Sequence, residues 1–330
     1  QNLVKFHEKE HSAGISSRNI PVADYARQAL KLNDPPLKML WVSCGNPFAQ
    51  GYDLRSWHTL FQQLELIVTV DLYLTKTAEQ SDILLPAASF FEEEDLHLSF
   101  WHNWLTLNQK VLPAYFEAKS DLRIASEFTQ AVNAKIPGFS EFPDDRTPRE
   151  WIEAEISPRV KELYGLNQVC DLEQHSYKRK EESFSSSWKY RFYPPVPDEF
   201  NHVEYPEYFP YRLLTPQSLL KFHTQYETLD WLNPEQEPVP VIEISAAIAK
   251  KHRLSDESIV EIFNETGVLR GLSKINPTLP PSIILTEQSG YFPVNTLMNC
   301  PEHNLACSCP QVSIHFYDCK VNIRRVREHV

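Results

Sequence analysis

Short apolar runs separated by turn residues dominate the first 140 positions. Lys38-Met39-Leu40-Trp41-Val42-Ser43-Cys44 stops at Gly45-Asn46-Pro47, Leu66-Ile67-Val68-Thr69-Val70 stops at Asp71, and Ile83-Leu84-Leu85 stops at Pro86. Runs this short, with a helical pattern between them, predict buried parallel strands in βαβ units. The strands are expected over Leu37–Cys44, Leu66–Val70 and Ile83–Leu85. Between the first two, Leu54, Trp57, Leu60, Phe61 and Leu64 recur at helical spacing and predict an amphipathic helix over Asp53–Leu64. A helix over Val22–Leu32 is ended by Asp34-Pro35-Pro36, since the residue before a proline leaves the helical region. Another is expected over Asp121–Ala134, its acid in the first turn where the dipole favours it. Phe100–Leu112 alternates enough to read as an extended segment or hairpin near a sheet edge.

The texture then changes twice. Glu150–Leu163 reads as helical, but Phe139–Pro206 is otherwise loose. Its charged Lys178–Glu182, polar Ser183–Ser187 and stiff Tyr193–Pro197 predict a surface excursion or linker. From Tyr211 onward six short runs rich in β-branched residues predict strands: Tyr211–Thr215, Val239–Ile244, Ile259–Phe263, Val268–Lys274, Ile283–Thr286 and Val312–Phe316. One helix, Ala246–His252, interrupts them, and Asn264-Glu265-Thr266-Gly267 reads as a hairpin turn. Six strands with one helix suggest a small closed barrel. The expected organisation is an α/β domain over 1–150, an excursion over 151–205 and a barrel over 206–330.

Composition narrows the function classes. A chain of 330 residues has room for two cores, and 42% apolar with 23% charged residues is ordinary for a globular protein. No run of 18 apolar residues exists, which excludes a helical membrane span. A formal charge of −12 disfavours nucleic acid as a partner. Only 8 glycines occur, with no G-x-G-x-x-G, so a nucleotide site would have to use side chains. The six cysteines, Cys44, Cys170, Cys300, Cys307, Cys309 and Cys319, contain no C-x-x-C. Cys307-x-Cys309 near Cys300 is the one cluster and reads as loop thiols rather than a metal site. Six thiols beside a large core suggest a reducing, cytoplasmic setting. The chain opens at Gln1 with no initiator Met or signal peptide, as a processed or partial chain would.

Asn46 and Asp71 stand at strand ends, where open α/β sheets bind ligands. The alternatives are a turn residue before Pro47 for Asn46, a solvated strand end for Asp71 and a helix N-cap for Asp121.

Further motifs carry a resemblance. After Asn46-Pro47 and Asp71 come Thr75-Lys76-Thr77-Ala78, Ser81-Asp82-Ile83-Leu84-Leu85-Pro86, Glu92 and Glu117-Ala118-Lys119-Ser120-Asp121. The strand-rich part begins Arg212-Leu213-Leu214-Thr215-Pro216, with His223 downstream, Leu254–Val260, Asn264–Gly267 and Val294-Asn295-x-Leu297. In this order the chain resembles the C-terminal portion of molybdopterin-containing oxidoreductases of the dimethyl sulfoxide reductase and formate dehydrogenase superfamily. The resemblance covers most of residues 10–330. It implies a three-layer α/β/α dinucleotide-binding domain followed by a six-stranded, double-psi-like barrel. Departures are Glu257-Ser258 where the family often has Gly-Asp, Val70 for Ser before Asp71, Glu93 for Lys, and Tyr317 for a basic residue.

What the resemblance implies is a cofactor site for molybdopterin guanine dinucleotide carrying molybdenum or tungsten, served by Asn46, Asp71, Thr77, Asp121, Thr215, Gln217, Ser218, His223, Thr224 and Asn295. Guanine offers N1–H and N2–H₂ donors side by side, which a carboxylate accepts as a fork. Asp71 and Asp121 are the candidates, expected in one shared pocket, with ribose hydroxyls as the other use for such acids. Asn46 can donate and accept at once. Residues 215–224 would lie along pterins and phosphates, with backbone N–H groups forming an anion nest. His223 is the loop's one titratable candidate, its alternative a structural histidine, and His97, His102 and His303 read as surface or packing residues. The metal ligand and any [4Fe–4S] cluster would lie in an N-terminal half outside this chain, which becomes its first partner, with an electron-transfer subunit as a possible second. Two other readings stand beside this one. The first is a cofactor-less homologue acting as an assembly subunit of a redox complex. The second is a nicotinamide dehydrogenase, which the absent glycine fingerprint opposes.

Overall fold

A computed structural model describes residues 20, 22, 25–99, 101–180, 207–218, 220–227, 229, 231–232, 239–289, 291–298 and 319–326. Its contacts divide the chain into two bodies. One comprises residues 39–45 and 66–198, and the other residues 1–38, 46–65 and 199–330. The expected strand Val312–Phe316, Cys300, Cys307, Cys309, His303 and Tyr317 lie outside the described residues.

Along the chain the first elements are α1 (Tyr25–Leu30), β1 (Met39–Ser43), α2 (Pro47–Gln50), α3 (Leu54–Gln63), β2 (Leu66–Asp71) and β3 (Ile83–Pro86). The strands form a parallel sheet in the order β1-β2-β3, with Ser43 opposite Val70 and Asp71 opposite Pro86. Helices α1, α2 and α3 group with the second body. Asp53 caps α3 by accepting from the Ser56 amide at 3.3 Å, and Leu54, Trp57, Leu60 and Phe61 are its buried face.

Among the described residues, the rest of the first body is a small antiparallel sheet and three α-helices. β4 (Asp95–His97) pairs with β5 (Trp104–Asn108), and β5 with β6 (Tyr177–Lys178), so the extended segment or hairpin expected over Phe100–Leu112 is one strand, β5, whose hairpin partner β4 lies ahead of that stretch. Leu105 and Leu107 of β5 pack with Ile152, Ile156, Leu166, Val169 and Leu172 in a core of their own. α4 (Asp121–Lys135) lies over the β1 face, with Trp41 edge-on to Phe128 at 5.4 Å. The helix expected over Glu150–Leu163 is two helices, α5 (Pro148–Glu155) and α6 (Pro158–Tyr164). Pro158 cannot continue a helix from its interior. Here it begins α6 instead, behind Ser157, whose hydroxyl accepts from the Val160 amide at 3.3 Å.

The second body is built on a closed six-strand barrel. β7 (Tyr211–Leu214), β8 (Val241–Ile244), β9 (Ile259–Phe263), β10 (Val268–Ile275), β11 (Ile283–Leu285) and β12 (Lys320–Arg325) run in the ring order β10-β8-β11-β7-β12-β9, with α7 (Ala246–His252) between β8 and β9. Pairs β10–β8 and β11–β7 are parallel and the other four antiparallel. Buried and more exposed positions alternate along the strands. Leu213, Ile242, Ile244, Val260, Ile262, Ile284 and Val321 are wholly buried at the centre. The sixth strand is therefore Lys320–Arg325, whose Val321 and Ile323 point inward between Lys320, Asn322 and Arg324. The β9–β10 hairpin turns at Asn264–Gly267 as expected, closed by Asn264 N–H to Gly267 O at 3.1 Å.

Candidate functional site

In the first body the acids occupy the carboxyl end of the parallel sheet. Asp71 is the last residue of β2. Its carboxylate accepts from the Tyr73 amide and the Thr75 hydroxyl, each at 3.3 Å. Burial pushes its pKa up, and the Tyr73 and Leu72 amides and the Thr75 hydroxyl offset this only in part. Thr75 also accepts from the Ala78 amide at 3.3 Å, so the Thr75–Ala78 motif shapes the turn that holds Asp71. Thr77 is wholly buried in that turn.

Asp121 is the first residue of α4, and the cap is Ser120, whose hydroxyl accepts from the Arg123 amide at 3.2 Å. Asp121 is thus released from capping, and its Oδ1 accepts from the hydroxyl of Ser43 at 2.5 Å. It is the one ionisable group on a cavity of about 390 Å³ whose other walls are Trp41, Ile124, Ala125, Phe128, Thr129 and Phe142.

The expectation of one pocket shared by Asp71 and Asp121 is not met. Side chains in register on parallel strands share a face, and successive residues alternate. Ser43 is opposite Val70, so Ser43 and Asp71 leave the sheet on opposite faces. Asp121 follows Ser43, and Asp71 is absent from the lining of its cavity. The spacing of the two acids along the chain could show that both stand at strand ends, but not on which side.

A larger cavity in this body, about 630 Å³, is lined among others by Glu92, Glu93, Glu94, Lys110, Arg149 and Glu173. Arg149 is paired with Glu94 at 2.5 Å and Glu173 at 2.9 Å. Glu92 is a pin: it accepts from the Ser89 amide and hydroxyl at 2.7 and 2.8 Å and from the Tyr115 amide at 2.6 Å.

In the second body seven of the expected residues gather around the loop after β7. Asn46 is buried before α2. Its side chain makes no capping bond and donates through Nδ2 to the Thr224 hydroxyl at 3.3 Å. Asn295 donates through Nδ2 to the carbonyls of Phe48 and Gly51 at 3.3 and 2.7 Å, so α2 is held between the loop and the 294–297 turn. Gln217 Nε2 lies 3.4 Å from Nδ1 of His223. Ser218 bonds the Leu220 amide at 3.2 Å. His223 and Tyr226 have φ of +56° and +66°, with Phe222 paired to Gln225 across the turn.

Two buried polar atoms in this cluster lack partners among the described residues: the hydroxyl oxygen of Thr215 and Oδ1 of Asn295. Thr296 Oγ1, beside Asn295, is in the same state. Buried polar groups are ordinarily satisfied, and one left over marks a place where a ligand or water supplies the bond. Gln288 was missed by sequence reasoning. It joins the loop's base, Nε2 to Thr215 O at 3.3 Å and N–H to Pro216 O at 3.1 Å.

Among the described residues no three His, Cys, Asp or Glu side chains converge as metal ligands. Cys44 and Cys170 are exposed. Cys319 is buried at the start of β12, its thiol 3.2 Å from Leu297 O, and burial raises its pKa to about 12. No described helix is long and apolar enough to cross a membrane.

One body thus carries acids at the carboxyl end of a parallel sheet, and the other a closed mixed barrel bearing a polar loop with unsatisfied buried atoms. Residues 8–131 match the molybdopterin oxidoreductase family and residues 211–312 the molybdopterin dinucleotide binding domain, and the chain belongs to the molybdopterin oxidoreductases. It is 28% identical over 79% of its length to a probable oxidoreductase of Bacillus subtilis, covering 41% of that protein. It is 23% identical over 86% of its length to a putative dimethyl sulfoxide reductase catalytic subunit of Halobacterium salinarum, covering 36% of that one. A trimethylamine-N-oxide reductase of Haemophilus influenzae is 22% identical over 79% of this chain and 37% of the relative. The chain therefore spans about two fifths of the length of the curated relatives it matches. Acetylene hydratase from Pelobacter acetylenicus shares the fold at a TM-score of 0.68 and 15% identity, covering 92% of this chain and 46% of the hydratase.

Proposed function

We propose that this chain is the cofactor-clamping portion of an oxidoreductase that holds molybdopterin guanine dinucleotide with molybdenum or tungsten. The observation that carries the reading is the pair of unsatisfied buried atoms, Thr215 Oγ1 and Asn295 Oδ1, within the cluster that Asn46 and Thr224 complete. A chain kept only as an assembly module has no use for buried polar atoms left without partners, since each costs on the order of 1–3 kcal/mol.

Each body offers its own donors and acceptors. Asp121 presents a carboxylate on a cavity with aromatic walls, which suits a planar base carrying adjacent N–H donors, as guanine does. Asp71, on the other face, suits ribose hydroxyls. Thr215, Gln217, Ser218, His223 and Thr224 offer hydroxyl, amide and imidazole groups to pterin and phosphate oxygens, and Asn295 offers Oδ1 to an N–H. When bound, the cofactor supplies the sulfurs that hold the metal and hence the two-electron chemistry. The residues here bind and orient, and none is an activated nucleophile or a general base. The metal's protein ligand and any [4Fe–4S] cluster are assigned to the N-terminal half of the full protein, and onward electron flow to a further subunit, in the cytoplasm. The names of the relatives make S-oxides and N-oxides the first oxygen donors to try.

Calorimetry with GDP on the 330-residue chain tests the reading. Weak binding is expected, selective over ADP and abolished by Asp121→Asn, with no turnover of viologen dyes against nitrate, formate or sulfoxides. Equal affinity for GDP and ADP, or turnover by this chain alone, would overturn it.

A further inference from the structure

One carboxylate of the second body is buried without a place in the site described above. Glu227 is 3% exposed. It accepts from the Ser289 hydroxyl, and Nζ of Lys221 lies 3.4 Å from its Oε1, with that lysine side chain 16% exposed. Ser289, itself 6% exposed, also accepts from the Tyr291 and Phe292 amides at 3.1 Å each. Glu227 therefore joins two loops. Lys221 and Glu227 bracket the reverse turn that carries His223 and Thr224, and Ser289 anchors that turn to the 288–292 segment.

The rest of the loop shows what this arrangement does. Its first residues are fixed by Gln288 bonds to Thr215 and Pro216. Within the turn, two non-glycine residues hold positive φ, which an L side chain adopts only under constraint. Other contacts of the turn include Asn46 to Thr224 at 3.3 Å, Gln217 to His223 at 3.4 Å and the Gln225 amide to Phe222 O at 2.9 Å, and the Glu227–Ser289 bond is the one that ties it to the segment after β11 through a buried carboxylate. Burying a carboxylate beside a lysine brings little net stability compared with apolar packing, and its best-attested use is to specify one arrangement over others.

We infer that Glu227 is a positioning residue: through Lys221 and Ser289 it fixes the 221–226 turn in the conformation that presents His223 and Thr224 to the cofactor. This rests on the reading of the loop as a cofactor-binding element, and the experiment keeps the two claims apart.

The test compares the 330-residue chain with its Glu227→Gln, Ser289→Ala and Lys221→Gln variants by two readouts. The first is free of ligand: the backbone NMR shifts and order of residues 221–226, and the shift of the His223 ring. Glu227→Gln is expected to displace these signals while the barrel resonances of β9 and β10 stay in place. The second is the Kd for GDP, expected to rise about tenfold, the lower end of what losing a supporting partner costs a bound group. Glu227→Gln combined with Lys221→Gln should be no worse than the poorer single variant, because both remove one tether. Should the wild-type chain ignore GDP, the cofactor reading falls while the turn's NMR signals still decide the tether. Ser289→Ala, which removes one of the two partners, is expected to move the same signals; if Glu227→Gln leaves the turn's shifts and order unchanged, the role assigned to Glu227 is wrong. Should a variant not fold, the signals of the surviving variants decide it in the same way.

Discussion

Ser43 gives its hydroxyl proton to Oδ1 of Asp121 at 2.5 Å, fastening the last residue of β1 to the first of α4. A charge-assisted bond of this kind at an exposed site is worth about 1 kcal/mol. Ser43→Ala is expected to lower stability by that amount in urea unfolding. It should also weaken GDP binding less than Asp121→Asn does, because the carboxylate remains and only its aim is lost.

Glu257 offers a gain. It sits at φ +61°, between α7 and β9, where the family often has glycine. An L residue pays about 1–2 kcal/mol to stay left-handed, and glycine returns part of this through its freer unfolded chain. Glu257→Gly should therefore raise stability by about 0.5–1 kcal/mol, read as a higher urea midpoint at unchanged slope.

Glu93 stands where the family commonly has a lysine, and its pKa is raised, first by burial and then by the neighbouring charges of Asp95, Asp121 and Glu92. A raised folded pKa means that the fold prefers the protonated form. The stability this provides is present below the ordinary carboxylate range and is lost as pH climbs through the raised value. Glu93→Gln should consequently melt at a higher temperature than the parent at pH 7, with the gap closing near pH 4. Melting scans of both proteins at the two pH values check the sign.

Barrel closure depends on a bare backbone at one crossing. A Cβ on Gly271 of β10 would lie 2.2 Å from Pro240 O and 2.9 Å from Cδ1 of Ile242. Gly271→Ala is expected to cost about 2–3 kcal/mol. Gly45→Ala, whose nearest neighbour would be 3.8 Å away, should be close to neutral. Denaturant unfolding of the pair tests the contrast.

Local patterns served the sequence reading well where one residue type has one physical meaning. The run of β-branched residues set β9 to the residue, and Ser245, the N-cap accepting from the Ile248 amide at 3.3 Å, begins α7 where the helix was expected. Pro158 was a legible stop that the longer helical pattern hid. The face from which Asp71 emerges depends on register with β1, which periodicity within a strand cannot give. The motif residues also shape the scaffold: Glu92 pins two loops, Thr75 holds Asp71, and Thr77 is buried in the same turn as Thr75. Ser43 and Glu227 left no sequence signal, since each matters through a partner 78 or 62 positions away.

The burial of Cys319 turns the barrel into its own clock. A thiol with a pKa near 12 carries almost no thiolate at neutral pH, and burial beside the β7–β12 seam, where the Leu213 amide holds its carbonyl, shields it from an alkylating reagent until that seam loosens. Cys44 and Cys170 are exposed and would be capped within the reagent's mixing time. Slow modification of Cys319, followed by mass spectrometry of its peptide, then counts opening events of the ring one molecule at a time. Any ligand that settles into the barrel's loops would lengthen the interval between ticks, whether or not it supports turnover.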